Sequence, residues 1–274
     1  MERKNDQKND QLDTLVDAML ASAKYKHVCK ELITYIGAQE LSKRRNVKEA
    51  LKATKNKLHQ IGSAYLDTRV HYESGLNELR MAAPSANRDN LLHVCTRIMN
   101  HHASTRERLP ILEQFYSEIF TYLPPIRSVL DIACGLHPLA IPWMPLPEDA
   151  EYYACDIYQD MMDFLHKWML IINMQGRTHV CDVIQQCPNY KVDLAFVLKT
   201  IPCLEQVDKS SGSRLLHTIN ADHLVVSFPV HSLGGKRKGM VEHYETHFRE
   251  LVANEKWEIK KLEFSSELVF VVRK

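Results

Sequence analysis

The sequence predicts an α/β fold: a Rossmann-like, mostly parallel sheet of seven strands that ends in an antiparallel hairpin, preceded by an all-helical module. Three observations carry this. After Pro124–Pro125 the chain alternates short apolar runs with helical periodicity, the texture of strands joined by crossovers and covered on both faces. The last two apolar runs, Glu258–Phe264 and Glu267–Arg273, are separated only by Ser265–Ser266, which is hairpin spacing. Before residue 106 the apolar positions recur at helical spacing instead. The chain therefore divides into a helical module, 1–105, and an α/β domain, 106–274.

The elements follow in order. Residues 1–10 are polar and expected to fray, and Leu12, Leu15, Val16, Met19 and Leu20 predict a helix over 11–35. A second helix is predicted over Val47–Tyr65, with Val47, Leu51, Leu58 and Ile61 on one face. Further helices are expected over His71–Met81 and Asn90–Asn100, with a loop, AAPSANRDN, between them. Ser104 or Thr105 opens a helix that runs through Phe120 and stops at Pro124. The remaining strands are predicted at Ser128–Cys134, Tyr152–Ile157, Thr178–Val183, Val192–Lys199 and His223–Pro229. Helices are predicted at Gln159–Met174, Leu204–Asn220 and Met240–Ala253.

Net charge is only +1 over 274 residues, so the whole chain is no electrostatic magnet. The distribution is uneven: residues 1–106 hold 18 Lys and Arg against 12 acids, and the remainder 17 against 22. Between Ser42 and His59 seven cations (Lys43, Arg44, Arg45, Lys48, Lys52, Lys55, Lys57) face one acid, Glu49. A solvated amphipathic face explains such a run; so does a surface that contacts nucleic-acid phosphates. Seven cysteines without a CxxC pair fit reduced thiols in a cytoplasm, not a disulfide framework or a metal site. No secretory signal is expected at the polar N-terminus, and no apolar run approaches the ~18 residues of a membrane span.

The stretch SVLDIACG, Ser128–Gly135, reads as a buried strand that ends in a tight, ligand-tolerant loop. In a doubly wound sheet, ligands bind beyond the C-terminal strand ends. Those ends carry Ala133 and Gly135, then Asp156 with Ile157, then Asp182 with Val183, then Leu198 with Lys199. An acid after the second strand is placed to accept from ribose hydroxyls, and one after the third to accept from an adenine amino group. There is no GxGxxG, so a pyrophosphate turn is a poor fit. The layout resembles that of class I S-adenosylmethionine-dependent methyltransferases. Pro202-Cys203 leaves a cysteine nucleophile open, and Lys199 leaves ribose 2′-O transfer open. Each lacks the acid expected beside it.

Several stretches together resemble one family, the aminoglycoside-resistance 16S rRNA methyltransferases that act on guanine N7 in the decoding site. They are KLHQIGSAY (57–65), HASTRERL (102–109), LDIACGLHPLA (130–140), CDI (155–157), VLKTIP (197–202), SFPVHSLGGKRKGM (227–240) and ELVFV (267–271). The resemblance implies S-adenosylmethionine as cofactor and guanine 1405 of helix 44, in the 30S subunit, as acceptor. It implies that Arg108 pairs with the methionine carboxylate and that Asp131 lies near the ammonium. Gly135 would let the cofactor lie against the backbone, Asp156 would hold the ribose, and Asp182 would face the adenine. Leu198 and Lys199 would line the methyl-transfer side, with no general base required. Ser227, Phe228, Lys236, Arg237, Lys238 and Met240 would approach the RNA, as would the cations at 44, 45, 48, 52, 55 and 57. A monomer is expected. His137 departs from the family's usual Asn, and Ser265–Ser266 from its Gly-Asn. A methyltransferase of the same fold with another RNA or a small molecule as substrate, or a non-catalytic RNA-binding protein, are the rival readings.

Overall fold

The computed structural model describes residues 2–66, 70–83, 88–231 and 239–274, with side chains from residue 9 onward. The helical part comprises α1 (Glu2–Leu20), α2 (Lys30–Lys43), α3 (Val47–Ile61), α4 (Tyr72–Ala82) and α5 (Arg88–Met99). The backbone is already helical from Glu2, where fraying was expected. The single helix predicted over 11–35 is two. Its break is tertiary in origin: the Cys29 amide donates to the Ile157 carbonyl at 2.7 Å, and Val28 bridges Tyr158. That contact moors the helical part to the end of the second strand. The α3 start is capped by Asn46, whose side-chain oxygen accepts from the Glu49 amide at 2.9 Å.

Next come α6 (Ala103–Arg108) and α7 (Leu112–Phe120), in place of one continuous helix. Pro110 supplies no amide hydrogen, and a 3₁₀ turn, Leu109–Ile111, takes up the bend. The α/β part then runs β1 (Ser128–Ile132), β2 (Glu151–Asp156), α8 (Gln159–Ile171), β3 (Gln175–Val180) and β4 (Val192–Leu198). It continues with α9 (Ile201–Leu204), α10 (Ser211–Thr218), β5 (Ala221–Pro229), α11 (Met240–Leu251), β6 (Glu258–Glu263) and β7 (Glu267–Arg273). Of the helix predicted over 204–220, the part that forms is α10, with Leu204 closing the short α9 before it. Asp208 makes the turn between them, accepting from Ser210 N and Oγ at 3.0 and 2.9 Å.

The sheet order is β3-β2-β1-β4-β5-β7-β6, parallel as far as β5, with β7 antiparallel to both β5 and β6. β4 (VDLAFVL) and β7 (ELVFVVR) are buried along almost their whole length, as strands covered on both faces must be. β3 starts three residues earlier than predicted. Gly176 carries it there with φ +126, and a Cβ at that position would stand 1.9 Å from the Tyr152 carbonyl oxygen. One consequence matters below: Asp182 lies in the turn beyond β3 instead of at its last residue. The core joins both parts, with Leu15, Ile33 and Leu76 of the helical part and Phe196, Phe228 and Phe270 of the sheet all at 0–1% exposure.

Candidate active site

A cleft opens at the C-terminal ends of β1, β2 and β4, where the order of strands reverses around β1. Its floor is built by the loop after β1. Ala133 and Gly135 both have left-handed backbones, φ +50 and +53, which turn the chain sharply. For alanine that conformation costs roughly 1–2 kcal/mol, held by the surrounding bonds. Ala133 and Cys134 face the cleft and Gly135 does not. A Cβ on Gly135 would meet the His102 ring at 2.8 Å, so the glycine clears space for an imidazole and not, as expected, for a ligand. Its amide donates to Asp156 Oδ2 at 2.9 Å.

Three carboxylates face the cleft: Asp131, Asp156 and Asp182. Asp156 Oδ1 accepts from its neighbour's amide, Ile157, at 2.6 Å. Burial pushes its carboxyl up to about 6, while the Gly135 and Ile157 amides pull the other way. Asp182 is held by the Ile184 amide (3.0 Å) and Gln185 Nε2 (2.7 Å), and burial raises its carboxyl too. Asp131 Oδ2 accepts from the Tyr152 hydroxyl at 2.8 Å and lies 2.8 Å from His137 Nδ1. His137 Nε2 meets the Tyr116 hydroxyl at 2.6 Å. Burial raises both tyrosines, which therefore stay protonated. With Tyr116 O–H donating to Nε2 and Nδ1–H donating to Asp131, every member of the chain is satisfied. The residue that departs from the family pattern is thus a buried link between Tyr116 of α7 and the β1 carboxylate.

Beside these lies a buried charge cluster. Arg108 Nε stands 2.7 Å from Glu267 Oε1, and Nη2 donates to Oε2 at 2.8 Å. Lys199 Nζ donates to Glu107 at 2.6 Å and lies 3.5 Å from Glu267. Lys199 has φ +57, which carries its side chain under the cleft. Burial alone would raise the Glu267 carboxyl, but Arg108 and Lys199 offset that and hold it below the ordinary range. Arg108 lines the cleft, with its Nε and Nη2 held by Glu267. The two cations are balanced by two glutamates. Among the described residues no Lys or Arg pairs with Asp131, Asp156 or Asp182, so the cleft is acidic and suits a ligand carrying positive charge.

A second cleft adjoins the first and shares Tyr65, Ser104 and Lys199 with it. Its outer wall includes Glu107, Pro229, His231, Met240 and Tyr244. Two residues expected to touch RNA lie elsewhere. Ser227 is fully buried, its hydroxyl donating to Glu267 at 2.7 Å, and Phe228 is fully buried and stacked on Tyr244 at 5.0 Å. Neither presents a surface to a nucleic acid. Met240 is half-buried at the start of α11, and Lys236, Arg237 and Lys238 lie outside the described residues.

On α3 and the turn before it, Arg44, Arg45, Lys48 and Lys52 are exposed, and Lys55 is half-buried. Arg44 pairs with Glu40 at 3.0 Å. Lys57 donates to the Gln206 carbonyl at 2.6 Å, so it ties α3 to the α/β part and is not a free cation. Sequence reasoning missed Glu107, Glu267, His102 and Tyr65 as parts of the site. Glu267 had a signal: it is the acid that opens the otherwise apolar run ELVFVV. His102 had none. Burial, with Arg108 and Lys199 nearby, pushes its imidazole down to about 4, and it stays neutral.

Residues 21–271 match the FmrO family, ribosomal RNA methyltransferases. The 16S rRNA (guanine(1405)-N(7))-methyltransferase of Micromonospora rosea is 34% identical, over 97% of this chain and 98% of its own length. The protein of that name from Serratia marcescens is 31% identical, over 96% and 98%. Among solved structures, the 16S rRNA methyltransferase RmtF in complex with S-adenosyl-L-homocysteine superposes with a TM-score of 0.84 at 27% identity, covering 96% of this chain and 98% of that one. RmtB, a 16S rRNA methylase, superposes with a TM-score of 0.77, covering 96% and 98%.

Proposed function

The chain belongs to the FmrO family of ribosomal RNA methyltransferases, with the class I fold and S-adenosylmethionine as cofactor, and we propose that its acceptor is N7 of guanine 1405 in helix 44 of 16S rRNA. The observation that supports this most is the pair of clefts meeting at Tyr65, Ser104 and Lys199. One carries Asp131, Asp156 and Asp182 and suits a cationic cofactor, and the other, lined by Glu107, His231 and Tyr244, is the place for the base.

The cofactor supplies an electrophilic methyl group on a sulfonium. Asp156 has unfilled acceptor positions for ribose hydroxyls, Asp182 for an adenine amino group, and Asp131 for an ammonium. Guanine N7 carries a lone pair and no proton at neutral pH. The residues around it therefore need to align and exclude water, and none needs to remove a proton. The buried Lys199, already neutralised by Glu107 and Glu267, suits that role: it holds the wall between the clefts without repelling the positive charge that develops on the base. The guanine has to leave its helix to reach the second cleft.

The helical module, 1–105, is read as the rRNA-docking part, with Arg45, Lys48 and Lys52 among its exposed cations. The 30S subunit is the substrate, in the cytoplasm, and the enzyme acts as a monomer. Among the described residues no helix is long and apolar enough to cross a membrane. Methylation at this guanine would confer resistance to gentamicin- and kanamycin-type drugs. The test is incubation of the protein with assembled 30S subunits and labelled cofactor, followed by mass mapping of the rRNA. Label at guanine 1405 is expected; its absence there counts against the reading.

A further inference from the structure

The buried charge cluster has one member that is not buried. The side chains of Arg108, Glu267 and Lys199 are 1%, 0% and 5% exposed, whereas that of Glu107, on α6, is 39% exposed. Glu107 lines the second cleft and not the cofactor cleft, and Lys199 lines both. Glu107 Oε2 accepts from Lys199 Nζ at 2.6 Å. Among the described residues this is the one hydrogen bond its side chain makes, so Oε1 and a lone pair of Oε2 are left over. Lys199 uses one N–H on Glu107 and points another at Glu267, 3.5 Å away, which leaves the third. A free donor and a free acceptor thus stand side by side at the seam of the two clefts.

The rest of the second cleft fits a base without choosing between bases. Tyr65, Pro202, Pro229, Met240 and Tyr244 offer flat or apolar surface, and every base has a face that stacks on such a surface. Tyr244 is held by stacking on Phe228 at 5.0 Å, and the Tyr65 hydroxyl by Cys203 Sγ at 3.0 Å. Ser104, Gln206 and His231 each donate or accept as required. Lys199 only donates and an ionised Glu107 only accepts, so this pair is the part of the wall that carries a fixed pattern.

We propose that Glu107, beside Lys199, selects guanine as the acceptor base, its carboxylate accepting from N1–H and N2–H₂ while Lys199 donates to O6. This rests on the second cleft receiving the acceptor base. Guanine presents the acceptor O6 next to its N1–H and N2–H₂ donors; adenine presents a donor amino group next to the acceptor N1. The pair matches guanine at every position and adenine at none, and no side-chain rotation repairs the mismatch. O6 and N7 share one edge of the base, so an O6 held at Lys199 sets N7 at the seam, towards the cofactor cleft. Both purines carry the N7 lone pair, so the chemistry itself does not choose between them, and the choice falls to recognition.

The test compares transfer to 30S subunits carrying guanine with transfer to subunits carrying adenine at position 1405. It is run with the parent chain and with Glu107→Gln, and the label is mapped to the nucleotide. Any effect of the base exchange on the RNA helix is common to both enzymes and cancels in the comparison. The parent is expected to favour guanine in kcat/KM by tenfold or more. A bidentate pair on a base edge discriminates by roughly tenfold to a hundredfold, so Glu107→Gln should lower that preference by tenfold or more and bring label onto adenine, whose N1 then accepts from the new amide. Its affinity for S-adenosylhomocysteine, read by calorimetry, should stay that of the parent. A residue that only neutralises Lys199 would lower both rates alike and leave the preference where it was. That result overturns the proposal, as does equal transfer to both bases by the parent, or loss of both transfers by a variant that still binds S-adenosylhomocysteine. If the glutamine variant does not fold, Glu107→Asp, which keeps the charge beside Lys199 and draws the carboxylate back by one methylene, is read in the same way. No transfer to guanine 1405 by the parent refutes the acceptor reading itself; transfer there with an unchanged preference refutes the role of Glu107 alone.

Discussion

Glu267→Gln tests whether the charge cluster beneath the cleft holds the site together. The substitution keeps the shape of the side chain and removes one charge. Arg108 and Glu267 are 1% and 0% exposed, so no water replaces the lost partner. Arg108 would keep its guanidinium charge, and Lys199 would keep only Glu107. Leaving a buried cation without its partner costs about 3–5 kcal/mol. At about 2–4 °C per kcal/mol for a domain of this size, the melting temperature should fall by about 6–20 °C.

The pH sign can be worked out as well. The Glu267 carboxyl is held below its ordinary value, so the stabilisation is fully present above that value and is lost as pH falls through the lowered one. A measurement near neutral pH therefore reads the whole effect. The assay is thermal unfolding followed by near-UV circular dichroism, with Glu263→Gln, on the exposed edge strand β6, as the control. A shift within about 2 °C, the size expected of a surface substitution, would refute the cluster as a structural support.

Three further outcomes are expected. On the proposed reading Asp156 would accept from ribose hydroxyls as the carboxylate, and burial raises its carboxyl to about 6. The dissociation constant of S-adenosylhomocysteine should therefore rise about tenfold per pH unit below about 6 and stay flat above, read by calorimetry; a flat profile down to about pH 5 would count against the assignment. Lys48→Glu with Lys52→Glu places two acids on the exposed α3 face and should raise KM for 30S subunits tenfold or more while leaving cofactor binding alone. Phe228→Ala should cost about 3–5 kcal/mol of stability, because the ring is fully buried against Tyr244, Phe248 and Phe270, yet leave 30S affinity of the folded protein unchanged.

The sheet was legible because its strands are buried on both faces. Runs such as VDLAFVL admit few other readings, and the Ser265–Ser266 spacing alone marked the hairpin. Boundaries failed where a distant contact decided them. The break between α1 and α2 depends on the Ile157 carbonyl, and the early start of β3 depends on how closely Gly176 approaches Tyr152. Neither partner is near in sequence. Asp131 and Asp156 lie in the last residues of β1 and β2 and Asp182 in the turn just beyond β3, close to where the topology of such sheets places ligand-facing acids, so the acids of the cleft could be placed before the structure. The partners of Arg108 and Lys199 could not, since they come from Glu267, far along the chain, and from Glu107, 92 residues before Lys199.

The motifs that carried the family resemblance converge on that one cluster. HASTRERL brings Glu107 and Arg108, VLKTIP brings Lys199, SFPVHSLGGKRKGM brings Ser227, and ELVFV brings Glu267. They are remote in sequence and in contact in space. Each member is paired so closely that losing one leaves another buried and uncompensated, which is the physical reason for such specific residues in apolar surroundings. The family resemblance implied that SFP approaches the RNA. Its Ser227 and Phe228 instead act from beneath: one hydroxyl fixes Glu267, which fixes Arg108 and Lys199, and Lys199 forms the wall between the two clefts. A change at Ser227 should therefore reach the reaction through the position of Lys199 and not through contact with RNA. Ser227→Ala, with the 30S affinity unchanged and the rate of transfer lowered, is the pattern this chain of contacts requires; a loss of 30S affinity at constant rate would mean that the hydroxyl faces the nucleic acid after all.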